Sequence, residues 1–225
     1  MLSLQGLVKT KKRTVASSTK AENGVVGTTP NILEDIHQKH LNITVYNRDI
    51  SSLDEEIINL LKHDMTFDSR GDEDTVLNKL KQQIKLEEQS LILQDIQSLL
   101  LHFKKITKAN HFRLYLATIN TNMCRKFHMD YNSLRILCTY SGPGTLWLTE
   151  DNVNRNALDA YGSNECIVID ENKIKQAKTG AVLILKGAKY SKRFTKGVVH
   201  RSPTIEESGQ KRLLLRIDIH QSLNA

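Results

Sequence analysis

Residues 124–147 read CRKFHMDYNSLRILCTYSGPGTLW, and this stretch indicates the architecture of the C-terminal half of the chain. Residues 134–140 have the composition of a buried strand, and SGPG at residues 141–144 is a strong turn signal. His128 and Asp130 stand before this strand, separated by one residue. Because successive side chains of a strand point to opposite faces, His128 and Asp130 are expected to project together.

Further strand candidates follow this stretch or precede it. They share short apolar or alternating runs bounded by turn residues. The predicted strands of the C-terminal half are residues 111–118, 134–140, 145–148, 166–169, 181–185, 197–200 and 212–219. Seven short strands with little helix between them predict an antiparallel barrel over residues 111–225, a double-stranded β-helix of the jelly-roll or cupin-like type.

Residues 31–110 have a mainly helical pattern, which predicts a helical support region and an α+β fold class. Leucine and isoleucine recur there near 3.6-residue spacing, with charged residues between them. The predicted elements are a strand over residues 41–46, a helix from a cap at Ser51 or Ser52 to about residue 63, a loop around residues 69–72, and a helical stretch over residues 74–106 with a break near residues 88–90.

Residues 1–30 are predicted to be a disordered basic tail, because they are polar, contain Gly and Pro breakers, and have no acid before Glu22. The whole chain has 32 Lys and Arg against 25 Asp and Glu, a formal charge of +7. Since much of this excess lies in the tail, the folded part is only mildly basic, which argues against a nucleic-acid partner.

Cysteine count and hydropathy indicate the compartment. Three cysteines in 225 residues do not make a disulfide framework, which predicts a reducing, cytoplasmic location. No apolar run approaches the roughly 18 residues that a membrane span requires, so no membrane partner is expected. The sequence specifies neither the substrate, small molecule or protein, nor the oligomeric state.

A third candidate metal ligand, His200, lies 72 residues after His128 at the end of a predicted strand. Two imidazoles and one carboxylate are the ligand set of non-haem Fe(II) oxygenases, which leaves the opposite coordination positions open. An H-x-D alone often arises by chance, and the simpler interpretation is a polar pair in a surface turn. The surrounding strands and the basic strand after His200 favour the metal site.

The final predicted strand, residues 212–219, has two different faces. One face is apolar, and the other carries Arg212, Leu214, Arg216 and Asp218. The polar face is either exposed to solvent, with Arg216 paired to Asp218, or it lines a barrel interior. In the second case an arginine would bind a carboxylate bidentately, as its planar guanidinium permits.

The cysteines permit two other hypotheses for a site in this region. A structural zinc site built from Cys124, His128 and Cys138 matches no common zinc module, and Cys138 is more simply a buried strand residue. Cys124 has the basic neighbours Arg125 and Lys126, as a reactive thiol would, but nothing in the sequence marks an oxyanion site for nucleophilic catalysis.

Four blocks of the sequence, CRKFHMD, LRILCTYSGPGTLW, VVHRSP and RLLLRID, resemble an uncharacterised bacterial family carried as a domain of unknown function. The similarity runs from about Tyr46 to Asp218. The layout of these blocks is in turn similar to that of Fe(II)/2-oxoglutarate oxygenases. The second resemblance implies an activity, hydroxylation of a substrate that the sequence does not identify.

The resemblance to these oxygenases also implies residue roles. His128, Asp130 and His200 would be the catalytic iron ligands, and Arg212 would hold the far carboxylate of the 2-oxoglutarate cosubstrate, with Arg216 as the other choice.

Two residues on the strand after the H-x-D, Arg135 and Tyr140, would contact cosubstrate or substrate. Residues 201–203, Arg-Ser-Pro, depart from the oxygenase pattern and would serve the substrate. Two alternatives stay open: a cupin-like metal enzyme that does not use 2-oxoglutarate, and a non-catalytic module in which Arg201, Arg212 and Arg216 bind an anion or a partner.

Overall fold

The structure is a computed structural model that describes residues 20–21, 23–190 and 196–220. Within these residues, eleven β-strands form two sheets. The strands are β1 (Lys20–Ala21), β2 (Gly24–Gly27), β3 (Ile43–Tyr46), β4 (Thr66–Gly71), β5 (Phe112–Ile119), β6 (Leu134–Ser141), β7 (Leu146–Leu148), β8 (Lys175–Gln176), β9 (Val182–Lys186), β10 (Val199–Arg201) and β11 (Arg212–Ile219).

Five α-helices and five short 3-10 helices accompany the described strands. The α-helices are α1 (Asp54–Leu61), α2 (Glu73–Ile84), α3 (Leu91–Thr107), α4 (Arg155–Asp159) and α5 (Asn164–Ile167). The 3-10 helices span Pro30–His37, Ser51–Leu53, Glu150–Asn152, Glu171–Lys173 and Glu206–Ser208. No helix in the described part of the chain is long and apolar enough to span a bilayer.

The fold is mixed α/β, with one large sheet and one small sheet. The large sheet has eight strands in the order β1-β2-β3-β9-β6-β11-β5-β4, and its pairs are antiparallel except for β2 with β3. The small sheet has the order β10-β7-β8 and is antiparallel. Strands β3 and β4, which precede residue 110, therefore share a sheet with the C-terminal strands, and the chain is not divided there into a helical and a β part.

The two faces of the large sheet have different neighbours. On one face, alternate residues of β6, β9 and β11 pack with α1, α2 and α3 in the main core. Phe103 of α3 and Phe112 of β5 are fully buried there, and truncation of such a side chain to Ala costs about 3–5 kcal/mol. On the other face, Leu137 and Leu183 form a second cluster with Trp147 of the small sheet. The helices thus cover one face of the large sheet, and the small sheet lies on the other.

Most predicted elements are confirmed. Strands lie within or over all the predicted segments except residues 166–169, and the expected break in the long helical stretch separates α2 from α3. Lys85 ends α2 in the left-handed conformation, and Ser90 caps α3 by accepting a hydrogen bond from the Leu93 amide. The break is longer than expected because both caps lie in it.

Four local predictions were wrong. Of residues 166–169, the first two end α5, and Val168 forms only an isolated β-bridge with Val153. Residues 69–71 belong to β4, whose register with β5 overrides its polar sequence, and Asp72 then caps α2. Neither Ser51 nor Ser52 caps α1 through its side chain. Within the tail predicted to be disordered, residues 24–27 form a strand beside β3, while residues 1–19 and 22 lie outside the described residues.

Candidate metal centre

The two candidate histidines are paired through their backbones. The His128 amide donates to the His200 carbonyl at 3.0 Å, and the His200 amide donates to the His128 carbonyl at 2.9 Å. Residues directly opposite in an antiparallel pair place their side chains on the same face. The ring centroids are accordingly 4.7 Å apart. Strand β10, which also pairs with β7, therefore brings together two residues that are 72 positions apart in the sequence.

Asp130 completes the cluster. Its Oδ1 lies 3.7 Å from Nε2 of His128, and its Oδ2 lies 3.4 Å from Nε2 of His200. One ligand atom from each of the three residues lies within 4.8 Å of the others. In the described part of the chain, this is the single group of three or more His, Cys, Asp or Glu side chains close enough to hold one ion.

Both imidazoles present Nε2 to Asp130, because their Nδ1 atoms face backbone carbonyls. Nδ1 of His128 lies 2.9 Å from the Lys126 carbonyl, and Nδ1 of His200 lies 3.4 Å from the Val198 carbonyl. A carbonyl oxygen only accepts hydrogen bonds, so in the neutral rings Nδ1 is the protonated atom and Nε2 keeps its lone pair. This tautomer is the one that metal-binding histidines adopt when a second group orients them.

The charges of the cluster suit a divalent cation. Burial lowers the pKa of His200 to about 4, which keeps this imidazole neutral at neutral pH. Burial alone would raise the pKa of Asp130, but the contact with His128 and the charge of Arg135 hold it well below its usual range. The contact with Asp130 raises the pKa of His128. A neutral imidazole and a carboxylate are both competent metal ligands.

Arg212 is a buried cation on the face of β11 that is opposite to the main core. The residue is 1% exposed, and its Nη2 donates to Thr139 Oγ1 at 3.0 Å. Its Nε has no hydrogen-bond partner, and no carboxylate among the described residues forms an ion pair with it. Burial without a counterion lowers the pKa of Arg212 to about 10. A guanidinium in this state is a strong site for an anionic ligand.

Arg135 and Arg216, the other two arginines predicted to bind cosubstrate, both lie beside carboxylates of the protein. Arg135 forms ion pairs with Asp130 and with Asp218, and Nε of Arg216 lies 3.3 Å from Asp218. The guanidinium of Arg216 also stacks on Tyr115. Arg216 lines the cavity at the cluster, whereas the nitrogens of Arg135 are already used by two carboxylates.

Tyr140, which was predicted to contact cosubstrate or substrate, lies away from the cluster of His128, Asp130 and His200. Tyr140 is buried in the main core, on the opposite face of β6 from Arg135, and its hydroxyl donates to Asp95 at 2.6 Å. The alternation of side chains along β6 separates residues 135 and 140 and excludes a shared site. Thr139, which faces the site and was not predicted, is the partner of Arg212.

The three residues of the zinc hypothesis do not lie together. Cys138 is fully buried in the main core and Cys124 is exposed, so they do not join His128 in one cluster.

Two residues of the Arg-Ser-Pro segment lie near the cluster. The guanidinium of Arg201 stacks on Phe127, and Ser202 lines a cavity beside the cluster.

A small cavity adjoins the cluster. It has a volume of about 60 Å³ and is lined by His128, His200, Arg135, Leu214 and Arg216, among others. On β11, Arg212 precedes Leu214 on the same face by one strand repeat. The cavity thus lies between the two candidate histidines and the part of β11 at Leu214 and Arg216, which directly follows Arg212.

Comparison of the sequence with protein families gives one match over most of the chain. A model described as a protein of unknown function (DUF1826) matches residues 27–218. The chain belongs to this DUF1826 family. No curated protein matches the sequence.

Two of the solved structures similar to this DUF1826 protein are of an oxygenase and a putative oxygenase. The Arabidopsis thaliana dioxygenase for auxin oxidation, determined with 2-oxoglutarate, has a TM-score of 0.55 and 10% identity, over 90% of this chain and 94% of that one. A putative oxygenase from Shewanella oneidensis has a TM-score of 0.48 and 13% identity, over 88% and 90%. The first likeness shows that the DUF1826 chain has an overall fold similar to that of this dioxygenase.

Proposed function

We propose that this DUF1826 protein is an Fe(II)- and 2-oxoglutarate-dependent oxygenase that hydroxylates its substrate. In this proposal the two sheets are the two sides of a double-stranded β-helix, α1 to α3 support it from outside, and His128, Asp130 and His200 bind the iron. The observation that carries the proposal is Arg212, a buried arginine with no counterion on the face of the sheet that bears the cluster.

The metal ligands fit iron by their chemistry. Two imidazoles whose Nε2 atoms face Asp130 and one ionised carboxylate make the facial set typical of non-haem Fe(II), and no thiolate of the described residues joins them to favour zinc. The backbone pairing of His128 with His200 fixes the imidazoles before an ion arrives. The protein therefore supplies a preformed site rather than one that the metal must assemble.

Arg212 fits the cosubstrate. A dicarboxylate with one end at the metal would offer its other carboxylate to the Arg212 guanidinium, with Thr139 holding that guanidinium from the side. This contact compensates a buried charge that the protein itself leaves uncompensated. The cavity of about 60 Å³ has room for roughly two water molecules, so binding requires lining side chains to change rotamer.

When bound, Fe(II) and 2-oxoglutarate supply oxidative hydroxylation coupled to decarboxylation of the cosubstrate. The described residues contribute binding and exclusion of water. His200 and Asp130 are largely buried, while His128 is partly exposed and marks the side from which the cluster is reached.

Anaerobic titration of Fe(II), and then of 2-oxoglutarate, tests the proposal by calorimetry on the full chain. Wild type is expected to bind one Fe(II), and 2-oxoglutarate is expected to bind only in its presence. His200→Ala should lose both, because a buried ligand is removed. His63→Ala, which changes an exposed histidine after α1, should bind like wild type.

Each other outcome contradicts part of the proposal. Iron binding without any 2-oxoglutarate binding would favour a metal enzyme that acts directly on its substrate. Stoichiometric iron retained in His200→Ala would exclude the proposed ligand set.

A further inference from the structure

The environment of Arg135 assigns it a role other than holding cosubstrate. Its Nε and Nη2 donate to the two carboxylate oxygens of Asp218 at 2.6 and 3.1 Å. Its Nη1 lies 2.6 Å from Oδ2 of Asp130. All three guanidinium nitrogens thus face carboxylates of the protein, and the side chain is 17% exposed. No edge of this guanidinium is left for a second bidentate carboxylate.

Asp218 is in turn fixed by a second contact to the loop that carries Asp130. Asn132 donates from Nδ2 to Asp218 Oδ1 at 3.0 Å. Asp218 lies opposite Arg135 in the pairing of β11 with β6, so its backbone position is set by the centre of the large sheet. The carboxylate of Asp130 is therefore connected, through Arg135 and Asp218, to the most extensively paired strand of the fold.

The backbone of the same loop is held from the other side. The Ala188 amide donates to the Asp130 carbonyl and the Lys189 amide donates to the Asn132 carbonyl, both at 2.8 Å. These two bonds fix the main chain of the loop but not the torsions of the Asp130 side chain. Arg135 is the residue that holds the carboxylate itself.

We infer that Arg135 is a positioning residue that orients Asp130 for metal binding and is itself oriented by Asp218. This inference rests on the metal site proposed above. Nη1 of Arg135 lies beside Oδ2 of Asp130, whereas Oδ1 faces Nε2 of His128 at 3.7 Å, so the ion pair sets how the carboxylate is turned towards the two histidines. Groups that orient metal ligands in this way typically change metal affinity 10- to 100-fold when they are removed.

The sign of the effect separates positioning from a simple charge effect. A guanidinium beside a metal ligand repels the cation, so if Arg135 acted only as a charge, its removal would tighten metal binding. If Arg135 positions Asp130, its removal weakens metal binding although a repulsive charge is lost.

The test is Co(II) titration of the full chain, followed by calorimetry and by the visible absorption of the bound ion, with no activity assay required. Arg135→Met is expected to weaken Co(II) binding at least about tenfold and to change the absorption spectrum. Arg135→Lys, which keeps the charge but cannot reach both carboxylates as a fork does, is expected to weaken it as well. Arg135→Lys also serves if Arg135→Met does not fold.

Arg113→Met is the matched control. Arg113 lies opposite Asp218 in the pairing of β5 with β11, and it binds Asp68 bidentately rather than Asp130. This variant removes the same charge from the same region of the sheet, and it should bind Co(II) like wild type.

The outcomes distinguish the inference from the proposed function. If wild type binds no Co(II) and no Fe(II), the metal site itself is wrong. If wild type binds Co(II), and Arg135→Met binds it equally well or more tightly with an unchanged spectrum, the positioning role is wrong and the metal site stands.

Discussion

At the scale of single residues, the site is defined by which polar atoms the protein satisfies and which it leaves free. The Nδ1 atoms of His128 and His200 are engaged by backbone carbonyls, and their Nε2 atoms are directed at Asp130. Arg135 is saturated by two carboxylates, whereas Arg212 has one neutral partner. The groups directed at the site are therefore two imidazole nitrogens, a carboxylate and one guanidinium, a combination that suits the metal and the anionic cosubstrate proposed above.

Arg212→Met is expected to weaken 2-oxoglutarate binding about 10- to 100-fold, because it removes charge-assisted hydrogen bonds to the far carboxylate. Metal affinity should not change, since Arg212 does not contact the cluster. The free energy of unfolding should be equal or higher, because Met replaces a buried charge that lacks a counterion. Calorimetry with the Fe(II)-loaded protein and urea unfolding measure the two effects.

A clear drop in metal affinity for Arg212→Met, at unchanged 2-oxoglutarate affinity, would contradict the assignment of Arg212 as the cosubstrate clamp.

At the scale of secondary-structure elements, β11 serves the core and the site at once. Leu213, Leu215 and Ile217 are buried in the main core, while Arg212 and Asp218 lie on the opposite face. The sequence predicted which residues lie on each face, because side chains alternate regularly along this eight-residue strand. The same rule, applied to β6, would have excluded Tyr140 once Arg135 was placed at the site.

Elements whose sequences lack a periodic pattern were predicted less well. The polar β4 becomes a strand only because β5 offers it a paired edge, and β2 becomes one only beside β3. Such strands are specified by tertiary contacts rather than by local sequence. The candidate metal ligands His128 and Asp130 could be predicted from their spacing, but the contacts of Thr139 and Asp218 depend on strand pairing that no local pattern contains.

The N-terminus of α3 illustrates a pH-dependent contact between elements. Glu56 of α1 accepts hydrogen bonds from the Leu91 and Ile92 amides and from the Ser90 hydroxyl. Burial opposes ionisation, but these hydrogen bonds lower the pKa of Glu56 below its ordinary 4.5. A carboxyl whose folded pKa is depressed stabilises the fold above its unfolded pKa, and this contribution is lost as the pH falls through the folded pKa.

Glu56→Gln is therefore expected to lower the free energy of unfolding at pH 7 by about 1 kcal/mol. The difference from wild type should shrink as the pH is lowered below 4.5 and then through the lower pKa that Glu56 has in the folded state. Urea unfolding across this pH range measures the difference, with the exposed neighbour Glu55→Gln as control. A difference that stays constant with pH would show that the charge of Glu56 is not responsible.

At the scale of the whole molecule, the cluster links parts of the chain that are far apart in sequence. His128 and Asp130 lie between β5 and β6, and His200 lies in the small sheet. An ion bound to all three binds the native state and not the unfolded chain, so it stabilises the whole fold by mass action.

At a metal concentration 100 times the dissociation constant, this stabilisation is about 2.7 kcal/mol. For a chain of this size, each kcal/mol raises Tm by about 2–4 °C, so Co(II) should raise the Tm of wild type by roughly 5–10 °C. Differential scanning fluorimetry with Co(II), and with Co(II) plus chelator, measures this shift. An equal shift in His200→Ala would show that the ion binds elsewhere.

The backbone pairing of His128 with His200 also sets an order of events during synthesis. A ribosome that adds roughly 5–20 residues per second needs roughly 4–14 s to proceed from one histidine to the other. During that interval the emerging chain presents only His128 and Asp130, an incomplete pair of ligands. In the proposed function, iron would therefore meet its full set of ligands only after β10 has emerged and paired with His128, so metal loading would be a late step in the maturation of this protein.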